Sequence, residues 1–76
     1  MTTTHPFTVG KFIVTPMAQA MHNGEWLSKA CITEVDREPM DADVHAFDMP
    51  SLTEADALSH AESEGRQKAI AMATKG

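Results

Sequence analysis

The sequence predicts an α+β fold: a three-stranded antiparallel meander (about residues 7–15, 25–34 and 44–49) with one C-terminal helix (about 51–74) packed on one face. Three observations carry this expectation. From Ser51 to Thr74 runs the only long stretch without a strong breaker, and its small and apolar residues recur at helical spacing. Upstream lie three short β-branched and aromatic segments, separated by turn and loop residues. The strands come first and the helix last, an order that suits an antiparallel sheet better than alternating βαβ units.

Taken in order, residues 1–6 read as a disordered tail and residues 7–76 as a single domain. Phe7 to Thr15 is the first strand, with Gly10 marking a bulge or the true start, and Pro16 closing it. Met17 to His22 is a connection, and Asn23-Gly24 is a turn. Glu25 to Glu34 is the second strand. Its alternation puts Trp26, Ser28, Ala30 and Ile32 on one face and Leu27, Lys29, Cys31 and Thr33 on the other. The polar stretch from Val35 to Asp43, with Pro39, is a loop. Val44 to Met49 is a short third strand anchored by Phe47, and Pro50 hands over to the helix.

Ser51-Leu52-Thr53-Glu54 has the spacing of a capping box, in which the Ser51 hydroxyl accepts from the third N–H and Glu54 reaches back. Glu54 and Asp56 near the start and Arg66, Lys68 and Lys75 near the end suit the helix dipole. At 100° per residue, Ala55, Leu58, Ala61, Gly65, Ala69 and Met72 form one stripe, with Ser59, Ser63 and Gln67 opposite. A glycine inside a helix costs about 1 kcal/mol relative to alanine, so Gly65 reads as a point of close approach to the sheet. The alternative is that Gly65 ends the helix.

One helix shields one face of a sheet. Phe12, Val14, Trp26, Ala30 and Ile32 are the expected helix-facing set, which leaves Ile13, Leu27, Cys31 and Phe47 on the far face. That face is too apolar to be left wet comfortably. The candidate interaction face is therefore Ile13, Leu27, Lys29 and Cys31, with the 35–43 loop as a secondary contact and with a second copy or another protein as partner. Aromatic residues make up only 5% of the chain, too few to anchor a large core, which fits a domain completed by association.

A lone cysteine excludes an internal disulfide and fits a reducing compartment. Neither a signal-peptide pattern nor a stretch of membrane-spanning length occurs, so the expected location is cytoplasmic, with no membrane partner. The net charge is −5, distributed as +1 over residues 1–30, −9 over 31–64 and +3 over 65–76. The acidic middle would repel a phosphate backbone and argues against a nucleic-acid partner. The alternative of a minimal nucleic-acid binder would have to rest on Lys11, Lys29, Arg66 and Lys68.

The reactive side chains form no familiar constellation. His5, His22, His45, His60 and Cys31 lack ligand spacing of the C-x-x-C or H-x-x-x-H kind. Cys31 has no orienting group or glycine-rich oxyanion element to make it a nucleophile. Asp36, Glu38, Asp41 and Asp43 depart from the calcium-loop order, and Pro39 interrupts them. The six methionines read as adaptable packing. No Walker, Rossmann or nucleophile-elbow motif is present. The reading is a non-enzyme with no cofactor, metal or small-molecule ligand.

The pattern Asn23-Gly24-x-Trp26, then Phe47, Thr53-Glu54-x-x-Ala57, Gly65-Arg66 and Ile70 resembles a family of small uncharacterised bacterial proteins. In these a glycine turn with a following tryptophan opens the second strand, and a helix closes a ββ-β-α unit. The resemblance covers roughly residues 10–72 and implies a fold and a bacterial source. The element order also resembles the partial double-stranded-RNA-binding-like fold of HicB-type antitoxins, which implies dimerisation and a toxin partner, although no DNA-binding tail is present. In order alone it resembles the DNA-binding domains of phage integrases, whose sheets are basic where this one offers only Lys11 and Lys29.

Overall fold

The computed structural model describes residues 2–36 and 43–75. It is an antiparallel sheet with one C-terminal helix, built from β1 (Thr2–Thr3), β2 (Phe7–Val9), β3 (Phe12–Ala20), β4 (Trp26–Glu34), β5 (Asp43–Ser51) and α1 (Glu54–Lys75). The path across the sheet is β1-β3-β4-β5, with β2 also on β3, ahead of β1 along the same edge. The expected α+β class and its helix are therefore present, but three strands were too few.

Three corrections fall within residues 1–20. The segment 7–15 is a hairpin, with Val9 paired to Phe12 across a Gly10-Lys11 turn. Gly10 has φ +59°, and a glycine at the first central position of a two-residue loop is what a type II′ hairpin prefers. The strand that follows does not stop at Pro16 but continues to Ala20. In an antiparallel ladder the N–H and C=O of one residue point to the same neighbour. The Pro16 carbonyl accepts from the Thr4 N–H at 3.2 Å, so the missing N–H falls in the gap between β1 and β2 and costs the β4 ladder nothing. Residues 1–6, expected as a loose tail, contribute the two-residue strand Thr2–Thr3 against Met17 and Ala18.

The β3–β4 pairing is continuous from Phe12↔Glu34 to Ala20↔Trp26. Its loop holds the expected Asn23-Gly24 turn: Gly24 has φ +84°, Gly24 N–H donates to Met21 and Met21 N–H to Glu25. On the other side of β4, β5 pairs in register from Ile32↔Asp43 to Ser28↔Phe47. It then bulges before Ser51 meets Trp26. Pro50 lies inside this strand, not between strand and helix.

The helix begins at Glu54 and is capped by Thr53, whose Oγ1 accepts from the Asp56 N–H at 3.1 Å. Ser51 is not the cap, because β5 holds it opposite Trp26. The helix runs unbroken through Gly65. Its buried stripe is Ala57, Ala61, Gly65 and Ala69, with Leu58 and Met72 half-buried; Ala55, expected in the stripe, is exposed. The stripe is set by the contact the helix makes with the sheet at Gly65. A Cβ on Gly65 would lie 2.9 Å from Val14 Cγ1 and 3.0 Å from the Ala30 Cβ. Glycine there lets the helix backbone settle onto the sheet.

The core between helix and sheet is Phe12, Val14, Ala30, Ile32 and Ala69, with Phe7, Val9, Phe47 and Met72 packed around it. The helix crosses the sheet obliquely. Near its start Ser28 Oγ donates to the Ala57 carbonyl at 3.0 Å and His60 meets the Phe47 ring edge-on. Further along, Arg66 stacks over Phe7, and Ala73 nears Gly10. Phe47 therefore belongs to the helix-facing side, not the far face expected for it.

Candidate interaction surface

Strand alternation assigns the opposite side of the sheet. With Phe12, Val14, Pro16 and Ala18 buried under the helix, Ile13, Thr15, Met17 and Gln19 of β3 point the other way. In β4 the same logic turns Leu27, Lys29, Cys31 and Thr33 outward, between the buried Ser28, Ala30 and Ile32. In β5, Val44 and Ala46 share this outer side, because His45 and Phe47 lie on the helix side with Ala30 and Ser28.

All four expected interaction residues, Ile13, Leu27, Lys29 and Cys31, thus lie on one face, and each is half-buried. The pairings Thr15↔Cys31, Met17↔Lys29, Gln19↔Leu27, Cys31↔Val44 and Lys29↔Ala46 knit them into one sheet surface. Met17 and Val44 complete it and were not singled out for it in the sequence. Met17 was hidden by the assumption that Pro16 ends the strand. Val44 is 59% exposed, a large aliphatic side chain facing solvent on the same face. The secondary contact expected at 35–43 falls mostly on residues 37–42, which lie outside the described residues; Val35 and Asp36 before them are exposed.

Lys29 is the cation of this face and has no partner among the described residues. Cys31 Sγ lies 4.0 Å from Thr33 Oγ1, at the outer limit of a weak hydrogen bond. At the β3–β4 loop the face runs into an open groove of about 430 Å³ lined by Gln19, Ala20, Met21, His22, Asn23 and Leu27. Gln19 Oε1 is buried there without a donor.

Elsewhere the reactive groups stay apart. His45 and His60 lie half-buried, each with a buried, unpartnered Nε2, and His60 is packed against Phe47 in the seam between α1 and β5; His5 and His22 are exposed. Among the described residues no group of three or more His, Cys, Asp or Glu is placed to hold a metal ion. The four cations that a nucleic-acid reading needs are divided: Arg66 and Lys68 ride on the helix, whereas Lys29 is on the opposite side of the sheet. Arg66 is also engaged by Glu62 at 3.5 Å and by the Phe7 ring at 4.9 Å. No helix among the described residues is long and apolar enough to cross a membrane. No family model, curated protein or solved structure matches the chain.

Proposed function

We propose that this protein is a non-catalytic protein–protein interaction or regulatory module that works through the outer face of its sheet. The observation that supports it is the row of apolar side chains Ile13, Met17, Leu27, Cys31 and Val44, spread over three neighbouring strands on the side away from the only helix among the described residues. Contiguous apolar surface of this kind is what partner-binding faces present. The free edge of the sheet is a poorer docking site than its face. Among the described residues β5 forms one edge, and Asp43, Asp48, Pro50 and a bulge are the features that discourage strand addition there.

Leu27→Glu tests this reading. Leu27 is half-buried at the surface, so the variant should keep the helical far-UV circular dichroism spectrum and lose the complex. Complex formation is followed by the mass in solution alone and with candidate partners. A variant that unfolds places Leu27 in the core and removes the reading; a folded variant that binds as well as the parent removes it too.

A further inference from the structure

We draw no further inference here: the strongest candidate, the apolar patch around Leu27 and Cys31 on the outer face of β3, β4 and β5, is an unpartnered sheet face, and nothing in the structure shows what covers it.

Discussion

The two faces of β3 and β4 are made by the same strands, residue by residue in alternation, and differ in how tightly each residue is specified. On the helix side Val14 and Ala30 meet a helix backbone so closely that a methyl group on Gly65 would lie 2.9 to 3.0 Å from both. On the outer side Ile13, Met17 and Leu27 touch their strand neighbours and solvent. The inner face is thus limited by volume and the outer face by composition. An apolar side chain is needed inside at a fixed size, whereas outside no packed neighbour fixes its size.

The sharpest way to break this contrast is to add volume on each side. Gly65→Val should cost about 3 kcal/mol, because the Ala30 Cβ has no rotamer by which to retreat and the helix must lift. Ala46→Val, on the exposed outer side, should fall within about 0.5 kcal/mol of the parent. Urea titration measures both. Equal costs would mean that the helix is not seated as closely as the Gly65 contacts imply.

Removing volume sharpens the comparison further. Ile32 is 2% exposed, and Ile32→Ala should cost about 3 kcal/mol, or roughly 12–25 °C in melting temperature. Ile13→Ala, on the face of β3 turned away from the helix and half-buried, should cost about 1 kcal/mol in dilute solution. If Ile13→Ala proves as costly as Ile32→Ala at low concentration, the outer face is covered within the monomer, and the face is not free to bind.

The inner face was largely legible in the sequence, and the outer face only in part. Phe12, Val14, Ala30 and Ile32 were expected under the helix and are there, because alternation within a strand of known phase leaves one choice. Phe47 was expected on the far side because β5 is bounded by a polar loop and a proline that hide its phase, whereas pairing with Ser28 turns it inward. Gly10 was read as a bulge or the true start of the strand, because a glycine between two apolar runs of one strand and a glycine in a tight hairpin look alike over three residues. Pro16 was read as a terminator because the rule against a proline in an inner strand is strong. What lifts the rule is a gap between two short edge segments, Thr2–Thr3 and Phe7–Val9, that no local pattern reveals.

The smallest expected effect concerns the start of the helix. Ser51 and Thr53 both lie just upstream of the helix and both could cap it by residue type. The Thr53 carbonyl already accepts the first helical bond, from the Ala57 N–H at 3.1 Å, and its hydroxyl takes the Asp56 N–H. Thr53→Ala should therefore cost about 1 kcal/mol, while Ser51→Ala should change stability by no more than a few tenths. Thermal melts of the two single variants decide it. Were Ser51→Ala the costlier, Ser51 and not Thr53 would hold the helix start, and the bond from the Asp56 N–H to the Thr53 hydroxyl would carry little weight. The seating of Ala57, Ala61 and Gly65 against the sheet would be the same in either case, because residues of one helix keep their relative phase wherever it begins.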